Sequence, residues 1–200
     1  MKPQFAAALF ALATFAGAAD ANVIKNGNFE GGSSNWSISG NAAFTTQTQS
    51  GFYWGGGSVA QNGTYAVAFN GGDRYANGML WQSFATVAGQ AYTLSFDYGS
   101  TSPWAQSMGY SVFDSATSKS LAAGSVTDNN VAGLLDTYRF NFVASGSSTT
   151  VRFADVNSNN SISNDGLLDN VRAEVPEPTS LALMGLGLMG LGFKRRRKAA

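Results

Sequence analysis

The chain has 200 residues, twelve Lys and Arg balanced by twelve Asp and Glu, and neither cysteine nor histidine. The two absences exclude disulfides, thiolate metal sites, thiol nucleophiles and every Ser-His or Cys-His catalytic pair. The charges are segregated: five cations crowd residues 194–198, whereas residues 22–178 carry six cations against eleven anions, a net of −5. Such a body is a poor partner for nucleic acid, whose affinity rests on Lys and Arg neutralising phosphates.

Residues 1–21 carry the three parts of a secretory signal. Lys2 supplies the positive start, Phe5 to Phe15 the apolar run, and Ala19-Asp20-Ala21 a small-x-small site at which signal peptidase cuts. The mature chain then starts at Asn22, with Ala16-Gly17-Ala18 as a second place to cut. The run is shorter than the ~20 residues of a spanning helix. It is read as a signal helix preceding the folded body.

From 22 to 175 the sequence is rich in Gly, Ser, Thr and Asn, with apolar and polar residues in alternation. Tyr92, Leu94, Phe96 and Tyr98 alternate with Thr93, Ser95 and Asp97, and Tyr138 to Phe142 repeats the pattern. Thr64–Phe69, Met79–Phe84, Tyr110–Phe113 and Thr150–Phe153 are shorter instances. Period two between Gly/Asn/Ser clusters predicts half-buried antiparallel strands. No sustained helical period competes with it. The expected fold is all-β, an antiparallel β-sandwich of jelly-roll type. Phe29, Trp36, Phe69, Phe84, Phe96, Phe140, Phe142 and Phe153 are its expected core.

The body opens with Asn26-Gly27-Asn28-Phe29-Glu30, then Trp36, and closes with Gly166-Leu167-Leu168-Asp169-Asn170-Val171. In this order the segments resemble the galactose-binding-like jelly rolls found among carbohydrate-binding modules, over most of residues 23–175. The resemblance implies the sandwich, and it sets exopolysaccharide binding as an expectation, although one fold hosts many functions. It also implies that the first and last strands are neighbours with a structural calcium between them. Glu30, at the end of the first strand pattern, and Asp169, opening the last, are then its side-chain ligands, with carbonyls of nearby turns completing an all-oxygen shell. The alternative is two surface carboxylates with no ion. A second oxygen-rich run, Asp155 to Asp165, lacks the glycine and the terminal Glu of a calcium-binding EF-hand loop and reads as a polar hairpin.

Three aromatic clusters fall in expected loops: Phe52-Tyr53-Trp54, Tyr75 beside Asp73 and Arg74, and Trp104 after Pro103. Exposed rings with polar neighbours grip sugars by covering their C–H faces while nearby groups bond the hydroxyls. Trp54, Tyr75 and Trp104, with Asp73 and Arg74, are therefore candidate carbohydrate contacts; the alternative is that the rings plug the loops against the sandwich. The carboxylates Asp73, Asp97, Asp114 and Asp128 show no pairing that marks a glycosidase. The body is expected to be non-catalytic.

The C-terminus reads Val175-Pro176-Glu177-Pro178-Thr179-Ser180, then an apolar stretch from Leu181 to Phe193, then Lys194, Arg195, Arg196, Arg197 and Lys198. The stretch forms a short hydrophobic helix that crosses the membrane only with help from snorkelling neighbours, and the basic cluster keeps its end cytoplasmic. Pro176 and Pro178 hold the approach extended. This sequence of Pro-Glu-Pro, short Gly/Leu helix and terminal basic cluster resembles the PEP-CTERM sorting domain. The resemblance implies an exosortase that removes the tail and delivers the body to the cell surface or extracellular matrix; the alternative is an uncleaved anchor. The chain is thus read as signal peptide 1–21, sandwich 22–175 and sorting segment 176–200. A purely structural matrix component and a carboxylate-based hydrolase are the competing functions.

Overall fold

The computed structural model describes residues 22–46, 63–69, 77–100, 106–128, 135–155 and 166–176. One compact unit spans Ala21–Pro176. Its strands are β1 (Ser37–Ser39), β2 (Ala42–Thr46), β3 (Tyr65–Phe69), β4 (Met79–Ala85), β5 (Ala91–Ser100), β6 (Gln106–Asp114), β7 (Ser120–Asp128), β8 (Leu135–Val143), β9 (Ser148–Asp155) and β10 (Gly166–Glu174). They form two five-stranded sheets, β1-β4-β9-β6-β7 and β2-β3-β10-β5-β8. Each strand pairing is antiparallel. The expected all-β sandwich is what the chain folds into.

Alternation explains most of the elements. In β6 every second residue from Gln106 to Asp114 is buried and the residues between are half-exposed, the signature of a strand with one face in the core. Leu80, Tyr110, Val112 and Phe153 of the first sheet meet Val67, Leu94, Phe96, Phe142 and Val171 of the second. Phe96 is the hub of the aromatic packing, with ring centroids 4.9 Å from Phe153, 5.9 Å from Tyr138 and Phe140 and 6.0 Å from Tyr110. Burying one such side chain stabilises the fold by roughly 1.5–3 kcal/mol.

Two segments depart from the sequence pattern. Ala66 to Phe69 of β3 are all buried, because Ala66 and Ala68 face a second apolar cluster with Leu135 and Leu167 on the side away from the main core. The segment around Glu30, expected to end a first strand, is instead a run of bends and turns. Asn26 (φ 51°) and Phe29 (φ 57°) lie in the left-handed region, which an extended strand forbids. For phenylalanine that conformation costs roughly 1–2 kcal/mol, offset here by complete burial of the ring against Trp36 and Phe44.

The turn is self-supporting. The Asn26 side chain accepts from Gly31 N and donates to the carbonyls of Gly32 and Ser34, each at 2.9 Å. Trp36 Nε1 donates to Asn26 O at 2.9 Å.

Ahead of that turn, residues 22–27 clasp both sheets. Val171 N donates to Gly27 O, and Val23 N to Ala173 O, each at 2.9 Å. Asn22 Oδ1 accepts from Ala173 N and Ile24 N at 3.0 Å. Toward the first sheet, buried Gln82 accepts from Lys25 N (2.8 Å) and donates to Lys25 O (2.9 Å). A side chain at Gly27 would overlap the carbonyl oxygen of Val171, so only glycine allows this approach.

The expected signal helix in residues 1–21 and the apolar stretch Leu181–Phe193 lie outside the described residues. Among the described residues no helix is long and apolar enough to cross a membrane.

Candidate functional site

The outer face of the first sheet gathers an aromatic ring, a cation and a line of hydroxyls. In β4, Leu80, Gln82 and Phe84 point inward, so Trp81 and Ser83 point out. Trp81 is half-buried and stands outside the core cluster. Its register partner on β9 is Arg152, which in turn pairs Ser111 on β6, placing the three side chains in one row across three strands. Arg152 Nε donates to Ser111 Oγ at 3.2 Å, and its guanidinium lies 5.8 Å from the centroid of the Phe113 ring. These contacts hold a planar cation over an aromatic face, an attraction worth about 0.5–1 kcal/mol at an exposed site.

Next to that row runs a chain of hydroxyls. Ser83 shares a hydrogen bond with Thr150 (2.7 Å), Thr150 with Ser115 (2.9 Å), and Ser148 donates to Ser115 (3.0 Å). A ring to cover a sugar face, a fixed guanidinium and pre-aligned hydroxyls are the elements of a surface that binds hydroxylated ligands.

The sequence-predicted residues fall elsewhere. Trp54, Asp73, Arg74, Tyr75 and Trp104 lie outside the described residues, as do Glu177, Pro178 and Lys194, Arg195, Arg196, Arg197 and Lys198. Pro176 is described and exposed, two residues past the end of β10. Glu30 is placed by the N-terminal turn: its Oε1 accepts from Thr64 N (2.7 Å) and Tyr65 N (2.8 Å), tying the turn to the start of β3. Gly63 is glycine because a Cβ there, at φ 112°, would meet that carboxylate.

Asp169 is fully buried, and its Oδ1 accepts from Asn170 N at 2.7 Å. It sits where β10 bulges, with Asn170 at φ 51°. Since Leu168 pairs Val67, Asp169 lies one step beyond the last β3–β10 pair, at the strand end that Glu30 caps. The fold thus brings the neighbourhoods of both expected ligands to one junction. Among the described residues no group of three or more acidic side chains is positioned to hold a metal by itself, so an ion here needs backbone oxygens.

The ionisation of Asp114 and of Tyr98 is shifted by their surroundings. Asp114 accepts from Thr117 N, Thr117 Oγ1 and Ala116 N through Oδ1, and from Ser145 Oγ through Oδ2. The Thr117 amide first, then the Thr117 and Ser145 hydroxyls, hold its carboxyl below the ordinary aspartate value. This carboxylate therefore fastens the β6–β7 turn to the β8–β9 turn. Burial, then Asp155 and Asp128, push the Tyr98 hydroxyl well above the ordinary tyrosine range, so it stays protonated.

Comparison with known proteins finds two family models on the chain. The family described as "Protein of unknown function (DUF642)" matches residues 22–174, and the PEP-CTERM protein-sorting motif matches residues 174–198. No curated protein matches the chain. Among solved structures, TmCBM61 in complex with β-1,4-galactotriose shares 20% identity over 76% of this chain and 97% of its own, with a TM-score of 0.51. A family 16 carbohydrate binding module shares 16% over 76% of this chain and 99% of its own, with a TM-score of 0.52. The tandem CBM22 domain of Xyn10C from Paenibacillus barcinonensis shares 14% over 82% of this chain and 52% of its own, with a TM-score of 0.56. At such identities the similarity is one of fold.

Proposed function

We propose that this chain, which belongs to the DUF642 family, is a non-catalytic surface or matrix protein that holds exopolysaccharide on the outer face of its first sheet. Its PEP-CTERM motif implies an exported, exosortase-sorted cell-surface protein, and its body has the fold of carbohydrate-binding modules. Signal peptidase and exosortase are the processing partners in this reading, and the membrane is a transient one. The observation that carries the binding proposal is Trp81, an aromatic ring left out of the core in line with Arg152 and Ser111. Trp54, Tyr75 and Trp104, with Asp73 and Arg74, remain proposed as further sugar contacts.

A structural calcium between Glu30 and Asp169 is the second part of the proposal. What supports it is the junction they share at the β3–β10 pairing. Ca²⁺ takes six to eight oxygens, mixing carboxylates with carbonyls; the ion would tie the opening turn to the last strand.

Retention of the mature protein on the producing strain's purified exopolysaccharide tests the binding proposal, with β-1,4-galacto-oligosaccharides as a defined second probe. Binding that falls in Trp81→Ala supports the first-sheet face. A protein retained by neither probe is a structural component of the matrix, and the proposal fails.

A further inference from the structure

We infer that the outer face of the second sheet is a separate binding site for an anionic saccharide, a sugar chain bearing carboxylate or sulfate groups. A polar groove of about 240 Å³ runs over β10, β5 and β8. The register places Arg172 opposite Ser95 and Ser95 opposite Arg139, so two guanidinium-bearing residues flank one small hydroxyl on the same face. Second neighbours in a sheet are about 10 Å apart, a span suited to two successive sugar units.

The two cations are weakly compensated. The Arg139 side chain is exposed and makes no hydrogen bond or ion pair among the described residues. Arg172 reaches only Glu174, at 3.8 Å, with half of its side chain in solvent. An oxyanion seated over Ser95 between them gives both guanidinium groups a partner. Arg presents a planar fork of donors matched to such an oxyanion.

The groove also accepts hydrogen bonds. Asp97 lines one side, held in place by Thr137 Oγ1 and Asn170 Nδ2, each donating at 2.6 Å. Glu174 and Thr93 line the other. Fixed carboxylates beside the arginines suit a ligand that carries hydroxyls as well as a negative charge. The net −5 of residues 22–178 disfavours a polyanion as dense as duplex nucleic acid. This selects an acidic sugar over a nucleic acid or an acidic peptide.

Occupation of both faces would make one domain a link between two polysaccharide chains. The second-sheet site stands on its own residues and does not depend on Trp81. The test titrates the purified mature protein with oligogalacturonate, a sulfated galactan oligomer and a neutral galacto-oligosaccharide, at low and at physiological ionic strength. Binding of a charged oligomer that weakens with salt is expected. R139Q and R172Q should each lower that affinity about tenfold or more, with unchanged melting temperature, while W81A leaves it as in the parent. Whether the carboxylated or the sulfated oligomer binds identifies the anion. The inference is overturned if neither charged oligomer binds, if both arginine variants bind as the parent does, or if W81A alone abolishes charged binding. Loss of neutral-sugar binding in W81A, with charged binding intact, separates the fate of the first-sheet proposal from this one.

Discussion

The amide of Val171 donates to the carbonyl of Gly27 at 2.9 Å, joining the opening and closing segments of the domain in one hydrogen bond. The contact exists because the backbone at Gly27 comes closer to β10 than any Cβ permits. Around it, Asn26 organises the turn, Glu30 caps the start of β3, and Asn170 bulges the last strand. Each of these residues fastens a junction of the domain.

Gly27→Ala should therefore destabilise the domain by about 1–3 kcal/mol, the usual cost of forcing extra volume into a packed site. Urea unfolding followed by tryptophan fluorescence measures it, as a lower midpoint with an unchanged slope. A midpoint equal to that of the parent would mean that the segment from Asn22 to Gly27 does not hold β10 in solution.

At Asp114 the expectation concerns acid. Its folded-state pKa is depressed by the Thr117 amide and by the Thr117 and Ser145 hydroxyls. The stability it contributes is complete above the unfolded-state value of about 3.9 and is lost as pH falls through the lower folded-state value. Asp114→Asn should lower stability at neutral pH and flatten the acid limb of a plot of melting temperature against pH. Parallel curves for the two proteins would dismiss the linkage.

For Trp81→Ala we expect sharply reduced retention on exopolysaccharide with stability within about 1 kcal/mol of the parent, against the ~3–5 kcal/mol of a truncated core Trp. Trp36, buried against Phe29 and Phe153, supplies that comparison. Equal losses of stability at the two positions would make Trp81 a packing residue.

How far the sequence could be read depended on whether a strand had one face or two in the core. β4, β6, β8 and the first half of β5 bury one side, and their alternation was legible. β3 buries both sides at Ala66–Phe69, so alternation there was coincidental. β7 has few large side chains, its exposed stretch being Ala123, Gly124 and Ser125, and it left no pattern to find. The opening segment appeared extended because positive φ at Asn26 and Phe29 has no signature in residue type beyond the neighbouring Gly and Asn. At the candidate site, the aromatics that the sequence offers as sugar contacts, Trp54, Tyr75 and Trp104, lie outside the described residues. The useful signal was phase: Trp81 is one position out of step with Leu80 and Phe84, and an aromatic on the polar phase of a strand must face outward.

Melting the mature protein with calcium and with chelator tests the proposed ion. Binding only to the native state stabilises it by about 2.7 kcal/mol at a hundredfold excess over the dissociation constant. A higher midpoint with calcium is expected, and Glu30→Gln should abolish the difference. Superimposable curves with and without chelator would remove the ion and leave Glu30 as a backbone cap.

Processing should leave a chain that begins at Asn22 and ends near Pro176–Pro178. Asn22 already holds the Ala173 amide through its side chain, so a mature start at that residue keeps the clasp whole. Intact-mass measurement of the surface-released protein gives both ends at once. Full-length tail recovered from purified matrix would argue for a retained anchor.

The position of β10 has a mechanical consequence. It lies between β3 and β5, paired with β5 from Gly166 to Glu174, and the N-terminal segment runs beside its final residues. Any attachment made through the chain beyond Pro176 pulls along the axis of this interior strand. Traction then loads the flanking hydrogen bonds together in shear, whereas an attachment through an edge strand such as β2 or β7 would peel them apart one after another. A domain tethered in this way resists traction at a strand paired on both sides.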